Sequence, residues 1–194
     1  CGGLLTRNNL GAATAVNSSQ SNENTLKVSG LDLDVAYTTE LADLNDNLRG
    51  TLTSNLLYNF QNENEITGIT SGLTDDLVGE VLTPEHRWTL STTYSVDDLA
   101  VTWRMRYWAE VGDNNEASDG GLLVGSPLND LDGVYYHDLR GGYDINDSVN
   151  VYFGINNVLD EEPPELGQAT NYGSTGINTA PEAYDVIGRR YYAG

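Results

Sequence analysis

Paired carboxylates are the residues of this sequence that could most readily do chemistry, because two neighbouring acids can divide the roles of general acid and general base. Three such pairs occur: Asp75 with Asp76, Asp97 with Asp98, and Glu161 with Glu162. Adjacent residues on a strand point in opposite directions, and each pair lies in a polar connecting segment. Solvated acids are common there, so the sequence predicts no acid–base catalysis and no enzyme. It also has no GxSxG motif.

Metal-binding patterns are the next candidates. His86 and His137 are far from each other and from Cys1 in the sequence, and no HExxH or CxxC spacing occurs. The run "DNNEASDGG" from Asp113 is similar to a calcium loop, but it has alanine at the fifth position and serine at the sixth. An EF-hand needs an oxygen ligand and a glycine at those positions. The sequence therefore predicts no metal site and no cofactor.

Aromatic and polar side chains near the connecting segments could instead bind a solute. Aromatic rings stack on sugars or catecholates, while Asp and Asn side chains exchange hydrogen bonds with polar groups. We predict that a small-molecule ligand is contacted by Trp108, Asp113, Asn114, Asn115, Tyr135 and Tyr172. The alternative for each of them is a membrane-interface or solvated loop residue.

Composition limits the classes of protein that could position these residues. The net charge is −20, with 29 acidic and 9 basic residues, which argues against nucleic-acid binding because phosphates require clustered Lys and Arg. The sequence contains no run of eighteen apolar residues, which is about the length that a transmembrane helix needs, so no such helix is predicted. Abundant Gly, Asn, Thr and Tyr favour strands joined by turns. Twelve Tyr and three Trp in regular alternation argue against disorder.

Period-two alternation predicts long β-strands. The clearest segment, residues 99–111, alternates Leu, Val, Trp, Met and Tyr with Ala, Thr and Arg. The same alternation occurs over residues 29–39, 52–60, 86–95, 134–145 and 149–155. Only a few residues divide 86–95 from 99–111, which predicts a hairpin. A seventh strand is predicted to begin near Tyr184.

The connections between these strands alternate in length. Those near 41–49, 96–98 and 146–148 are short, whereas 61–85, 109–133 and 158–183 are long. Because consecutive antiparallel strands alternate in direction, all short turns lie at one end of the sheet and all long loops at the other. This arrangement is typical of an outer-membrane barrel, as are strands of about nine to twelve residues with Tyr and Trp near their ends.

The parity of the charged residues predicts which face of the sheet meets lipid. Arg104, Arg106 and Arg140 all fall on the polar parity, where they could reach Asp32, Asp34, Asp138 or Asp144. An arginine that points into lipid at the bilayer midplane costs about 2 to 4 kcal/mol. The polar parity is therefore predicted to line the interior of an all-β, antiparallel transmembrane barrel. A soluble acidic β-protein remains the alternative.

The closing third of the sequence resembles the C-terminal end of the TonB-dependent outer-membrane receptors. That family typically ends with a strand, an Asn-Leu-Phe-Asp-like corner, a proline pair, a long loop and a last strand opening with Tyr-Asp and Gly-Arg. The corner matches at Asn156, Asn157, Val158, Leu159, Asp160, Pro163 and Pro164. The last strand matches at Tyr184, Asp185, Gly188, Arg189, Arg190 and Tyr191. The phrases "CGGLLTR", "NENTLKVSGLDLDVAY" and "HRWTLSTTY" are also similar to closing barrel strands of these receptors.

The resemblance implies a function and a set of partners. Such receptors bind a scarce solute, such as a siderophore, cobalamin or oligosaccharide, and admit it when an inner-membrane TonB-type protein displaces a plug. Their barrels have about twenty-two strands. Residues 1–194 are therefore expected to be a C-terminal fragment of a barrel, with the plug and the other strands supplied by the rest of the receptor. The resemblance also implies that Cys1 pairs with an upstream cysteine outside the fragment, and the alternative is a free, buried thiol.

Two alternatives follow from other classes of protein. A passive outer-membrane barrel or adhesin would have no plug. A secreted, carbohydrate-binding β-sandwich would bury its Leu, Val and Tyr parity between two sheets.

For a bacterial outer-membrane protein, the remaining expected partners are membrane lipid and lipopolysaccharide, which divalent cations could bridge to acidic loops.

Overall fold

The structure, a computed structural model, describes residues 5–16, 24–68, 72–112, 130–165 and 179–194. Its strands are β1 (Leu5–Arg7), β2 (Ala13–Val16), β3 (Asn24–Glu40), β4 (Thr51–Gly68), β5 (Thr74–Asp76), β6 (His86–Val96), β7 (Leu99–Trp108), β8 (Val111–Gly112), β9 (Asp130–Leu131), β10 (Val134–Asn146), β11 (Val149–Asn156) and β12 (Arg190–Ala193). One short 3₁₀ helix, Leu41–Asp43, lies between β3 and β4. None of the described ranges contains a helix with the length and hydrophobicity of a transmembrane span.

Seven of the strands form one antiparallel sheet in the order β12-β11-β10-β7-β6-β4-β3, and β5 extends it beside β4. The hairpin of β1 with β2 and the pair of β8 with β9 are separate. The all-β antiparallel prediction is therefore confirmed, and the hairpin predicted for β6 and β7 pairs from Val96 with Leu99 to Arg87 with Trp108.

The cross-strand register aligns the apolar parities of neighbouring strands into one surface, here called the apolar face. Two of its rows are Val35–Leu56–Leu90–Met105 and Trp103–Leu139–Ile155. Leu139 is 40% exposed and Phe153 is 52% exposed, so no second layer of described residues covers this face. A continuous exposed apolar surface of this kind marks contact with a membrane or another protein.

The opposite surface of the sheet, here called the polar face, contains the charged residues. Asp32 accepts a hydrogen bond from Asn59 Nδ2 at 2.6 Å, and Asp34 accepts one from Asn55 Nδ2 at 2.7 Å. Arg106 on β7 lies 3.3 Å from Asp138 on β10. The prediction that the arginines share one face with these acids is confirmed, because strict alternation leaves no other position for them.

The first long hairpin extends further than the sequence suggested. β3 and β4 pair from Glu40 with Thr51 to Asn24 with Gly68, so residues 61–68 of the predicted loop are strand. A β-bulge interrupts the register between Ser29 and Gly30. Beyond it the apolar alternation ends, because the surface that continues the apolar face presents Lys27 hydrogen-bonded to Glu63. This polar composition hid the extension from a search for apolar alternation.

We expect the pair of Lys27 and Glu63 to stabilise the β3–β4 extension over a limited pH range. The hydrogen bond from Lys27, followed by that from Ser29, lowers the pKa of Glu63 below its ordinary value of 4.5. Stabilisation from a lowered carboxyl pKa is present above that ordinary value and is lost as the pH falls through the lowered one. Amide exchange in the extension, corrected for intrinsic rates, should therefore accelerate on acidification below pH 4.5. Glu63→Gln should remove this acid step, and an equal step in that variant would contradict the assignment.

The short connections meet at one end of the sheet, as predicted. Tyr94 Oη donates to the carbonyl oxygen of Arg49 at 2.9 Å, and Arg49 Nη2 lies 2.9 Å from Asp97 Oδ1. The amide of Asp144 donates to the carbonyl oxygen of Asp98 at 2.9 Å. Hydrogen bonds therefore join the β6–β7 hairpin to the β3–β4 turn on one side and to the end of β10 on the other.

The last strand begins later than predicted, at Arg190 rather than near Tyr184. The residues before it form turns, and Gly188 has a φ of 75°, which is unfavourable for residues with a Cβ atom. Tyr192 of β12 is paired with Gly154 of β11, and its ring occupies the space that a side chain at Gly154 would need. The last strand is thus positioned by an aromatic ring packed on a glycine.

Candidate functional site

The described residues form one small hydrophobic cluster, here called the loop core, at the end of the sheet with the long connections. It consists of Val81, Val111, Leu131, Val134, Tyr136, Ala180 and Tyr184. Val134 and Tyr136 share the parity of Asp138, so the loop core lies on the polar face. Its members come from all three long connections and from the start of β10. Burial of their side chains therefore holds the loops together over that face.

Backbone hydrogen bonds reinforce this packing. The amide of Gly112 donates to the carbonyl oxygen of Gly79 at 2.7 Å, and the amide of Ala109 donates to that of His86 at 3.1 Å. The short strands β8 and β9 pair Val111 with Leu131. The ends of the first two loops therefore have fixed positions next to the sheet.

The corner that follows β11 is built around Asn157, which is completely buried. Its φ of 52° is left-handed, a conformation that Asn adopts more easily than most residues. Its Nδ2 donates to the carbonyl oxygen of Glu161 at 2.9 Å, and its Oδ1 accepts from the amide of Glu161 at 2.8 Å. Asp160, with a φ of 59°, accepts from the amide of Arg189 at 2.9 Å. The predicted corner is confirmed. Through the hydrogen bond between Asp160 and Arg189, it also holds the end of the last loop.

Asn157→Ala should lower the free energy of unfolding by about 2 kcal/mol, because two side-chain hydrogen bonds are lost and alanine is less stable at positive φ. Asn157→Gly keeps the backbone conformation accessible and removes only the hydrogen bonds, so it should cost less. Denaturant unfolding would compare the two variants. Equal stability of Asn157→Ala and the wild type would show that the corner does not depend on this side chain.

Asp138 joins the corner to the sheet. Its side chain is 13% exposed, and its Oδ1 accepts hydrogen bonds from Arg106 Nη2 at 3.3 Å and from the amide of Asn157 at 2.9 Å. The guanidinium of Arg106 also lies over the ring of Tyr136, 5.2 Å from its centroid. The sequence placed Asp138 among the possible partners of the arginines but gave no indication of its bond to the corner, because that bond joins residues distant in the chain.

The residues that lead from the last loop into β12, here called the return segment, are held in place by Asp185. This side chain is 6% exposed and binds Arg190 through two hydrogen bonds of 3.0 and 2.9 Å. Its amide donates to Tyr136 Oη at 3.2 Å. The Tyr-Asp phrase of the sequence therefore supplies the buried member of an ion pair, and its partner Arg190 directly follows the Gly-Arg phrase.

Two open clefts flank Asp130, Leu131 and Asp132, at the edge of the loop core. One has a volume of about 280 Å³ and is also lined by Glu161, Glu162 and Glu165. The other has a volume of about 480 Å³ and is also lined by Glu110 and Gly79. Carboxylates dominate both, so the clefts suit hydrogen-bond donors or positive charge. Among the described residues, no group of three His, Cys, Asp or Glu side chains is arranged to hold a metal ion.

The structure separates the predicted ligand-contacting residues. Trp108 lies on the polar face, packed against the loop core and under the guanidinium of Arg87 at 5.2 Å. Tyr135 lies on the apolar face, 4.5 Å from the ring of Tyr107. The other predicted contacts, Asp113, Asn114, Asn115 and Tyr172, and also Cys1, lie outside the described residues. The ligand role of each residue stays a prediction, although a solute above the polar face could reach Trp108 but not the side chain of Tyr135.

Parity would have distinguished these two aromatic residues in advance. Trp108 follows Tyr107 by one residue and therefore belongs to the polar parity, while Tyr135 shares the parity of Leu139. Other aromatic side chains near Tyr135 form a belt on the apolar face, with Trp88 5.5 Å from Tyr107 and His86 5.3 Å from Phe60. Aromatic belts of this kind lie at the interface between lipid and water.

Comparison with known proteins identifies the family. The sequence matches the family model "TonB dependent receptor-like, beta-barrel" over residues 4–158. The ferric-catecholate import receptor Fiu from E. coli K12, solved in a closed form, matches over 98% of this chain with 18% identity and a TM-score of 0.49. This chain spans 21% of that receptor, and no curated protein matches. Because the family model covers most of the 194 residues, the chain belongs to the β-barrel region of the TonB-dependent receptors, a family of outer-membrane proteins.

Proposed function

We propose that this chain forms part of the barrel wall of a receptor for energised uptake of a scarce solute. The observation that supports this most strongly is the division between the two faces of the sheet. The apolar face is continuous and exposed, while the arginines lie on the polar face. The first surface suits lipid and the second suits a wet interior. The proposed function contains no chemical step.

The sheet is proposed to be the C-terminal part of a larger barrel. In the described residues, β3 and β12 each pair with a strand on one side only. β3 has 17 residues, and a long unpaired edge would bind other chains, so proteins rarely leave one open. We therefore expect further strands of the same receptor on both edges. A plug and the segment that contacts the inner-membrane TonB-type protein would come from other parts of that receptor.

The solute is proposed to bind at the end with the long loops, above the loop core. There the two clefts present Glu110, Asp130, Asp132 and Glu161. Because carboxylates accept hydrogen bonds and repel anions, these clefts favour a neutral solute rich in hydroxyl groups, or a cationic one, over a polyanionic iron chelate. An oligosaccharide has the first property, and cobalamin and siderophores remain the other candidates.

Uptake by cells that produce the full-length receptor tests this function. Labelled maltooligosaccharide, cobalamin and a ferric siderophore would be supplied separately, with and without collapse of the proton gradient. We expect uptake of at least one of them to exceed that of cells without the receptor and to cease when the gradient is collapsed. Uptake that continues without the gradient would instead indicate a passive barrel, and binding without any uptake would indicate an adhesin.

A further inference from the structure

Three polar side chains on neighbouring strands are level with one another near the loop end of the polar face. Asp32 on β3 is opposite Asn59 on β4, which is opposite Arg87, the second residue of β6. Asp32 accepts a hydrogen bond from Asn59 Nδ2 at 2.6 Å. The second oxygen of Asp32 and the Oδ1 atom of Asn59 remain available as acceptors. These three residues are here called the Asp–Asn–Arg row.

Arg87 supplies the donors of this row. Its guanidinium lies 5.2 Å from the centroid of Trp108, which is opposite it on β7. Stacking on a ring restricts a guanidinium and leaves the N–H groups at its edge able to donate. The row therefore presents acceptors and ordered donors side by side. Hydroxyl groups need this combination, because each of them both donates and accepts.

The other arginines of the polar face differ from Arg87. Arg106 binds Asp138, and within the described ranges Arg104 and Arg140 have no carboxylate oxygen within 4.0 Å. The expectation that Arg104 and Arg140 reach the acids of the sheet is therefore wrong. Of these arginines, Arg87 is the one that lines the two clefts described next.

Two open clefts of the polar face share the Asp–Asn–Arg row. One has a volume of about 400 Å³, extends from the row towards the turn end, and is also lined by Leu57 and Thr89. The other has a volume of about 310 Å³, extends towards the loop end, and is also lined by Val28 and Gly30. Because all three members of the row line both clefts, the two clefts adjoin and run along the strands.

Each cleft contains an exposed apolar side chain on this otherwise polar face. Leu57 is 48% exposed and Val28 is 58% exposed. Gly30 separates Val28 from the row, and a Cβ atom there would collide with the carbonyl oxygen of Phe60, so no side chain can stand between them. An apolar surface beside hydrogen-bonding groups suits a sugar, whose C–H face packs on apolar side chains while its hydroxyl groups bind polar ones.

We propose that the Asp–Asn–Arg row and its two clefts form a binding site for an extended, neutral oligosaccharide. The proposal rests on the proposed function for the position of this face inside a receptor, and it adds the class of solute. Hydroxyl groups would bind the row, and sugars on either side of it would pack on Leu57 and Val28. Asp34 is level with Leu57 and six residues from Val28 along β3, or roughly 20 Å, so several linked sugars are needed to reach both clefts.

Charge argues against a polyanionic iron chelate at this site. Asp32 and Asp34 place two carboxylates in the first cleft against the single guanidinium of Arg87. The net charge of these three groups is negative, so the cleft repels anions. A neutral sugar chain is not affected by this repulsion.

Spacing argues against a zwitterionic solute. Asp32 and Arg87 are two strands apart, or roughly 10 Å at the backbone. The ammonium and carboxylate groups of a free amino acid are too close together to bind both. A short peptide could reach both across the strands, but it would leave the clefts unfilled, because they run along the strands.

Titration calorimetry with the full-length receptor tests the class of solute. The probes are glucose, mannose and xylose, their linear oligomers of two to six sugars, a ferric tricatecholate, and triglycine. We expect at least one hexasaccharide to bind about tenfold or more tightly than its monosaccharide, because only the longer chain reaches both clefts. Absence of binding by every oligosaccharide would overturn the proposal, and so would tighter binding of the ferric tricatecholate or of triglycine.

Variants of the row test whether the hexasaccharide binds there. Asp32→Ala and Arg87→Gln should each weaken its binding by about tenfold or more, because each removes a charged hydrogen-bonding partner. The matched controls are Asp144→Ala and Arg104→Gln, which should leave binding unchanged. Asp144 accepts a hydrogen bond from Asn150 Nδ2 at 2.7 Å, and neither control residue lines the two clefts. Unchanged binding in both row variants, or an equal loss in the controls, would overturn the proposal.

Uptake of the same hexasaccharide separates this proposal from the proposed function. Binding that depends on Asp32 and Arg87, without energised uptake, would refute the proposed function and support the site. Energised uptake that Asp32→Ala and Arg87→Gln leave unchanged would support the proposed function and overturn the site. Heat-modifiable migration on gels would confirm that each variant folds.

Discussion

Leu139→Arg is expected to lower the free energy of unfolding of the receptor in lipid vesicles by about 3 kcal/mol, the cost of an arginine facing the middle of the bilayer. Leu139 is on the apolar face, 40% exposed, between Trp103 and Ile155 in the register. An arginine there would have to remain among lipid chains or distort the strand to reach water. The measurement is denaturant unfolding of the full-length receptor from vesicles.

Thr53→Arg is the matched control for this prediction. Thr53 is exposed on the polar face, and its row continues through Thr93 and Thr102 to Arg140. The same side chain would there enter the proposed wet interior, so we expect a change of less than about 1 kcal/mol. If the two variants were equally unstable, the apolar face would not be in contact with lipid.

Asp185→Ala is expected to destabilise the receptor by about 3 kcal/mol, because removal of one member of a buried ion pair leaves the other charge uncompensated. Asp185 is 6% exposed in its side chain, while Arg190 is 35% exposed and would recover part of its hydration. The same change should weaken the contact between the return segment and Tyr136. Denaturant unfolding gives the stability, and proteolysis of the last loop in folded receptor gives the local effect.

Arg49→Ala provides the comparison for Asp185→Ala. Its ion pair with Asp97 has a similar distance of 2.9 Å, but the side chains are 75% and 65% exposed. Water screens such a pair, so its loss should change stability by less than about 1 kcal/mol. Similar effects of Asp185→Ala and Arg49→Ala would mean that the return segment is not held by the buried pair.

The strands of the sheet could be predicted because their pattern is local. Leu99 to Tyr107 alternates without interruption, and the register then places each apolar residue beside others of the same kind. The same rule assigned Arg104 and Arg106 to the polar face. The extension of β4 beyond Phe60 was missed because residues 61–68 of that strand, beyond the β-bulge, are mostly polar on both surfaces of the sheet. No alternation of apolar and polar residues is present there to predict a strand.

The partners of the polar side chains could not be predicted in the same way. Asp138 can be assigned to a face from its parity, but its choice of Arg106 over Arg104 depends on the position of the corner at Asn157. Similarly, Asp185 is distant in sequence from Tyr136, whose hydroxyl accepts its amide hydrogen. Such contacts depend on how the loops fold back over the sheet, and the period-two alternation of apolar residues carries no information about the loops.

The accessibility of consecutive positions along β10 shows most directly which face of the sheet meets lipid. Single cysteines at positions 137 to 143 of the full-length receptor, made in a background that lacks other cysteines, would be spin-labelled and exposed to oxygen and to a water-soluble nickel complex. If the apolar face meets lipid, the odd positions, which include Leu139 and Tyr143, should be relaxed by oxygen from the lipid, and the even positions, which include Arg140, should not. Uniform accessibility, or alternation of the opposite phase, would contradict contact between that face and lipid.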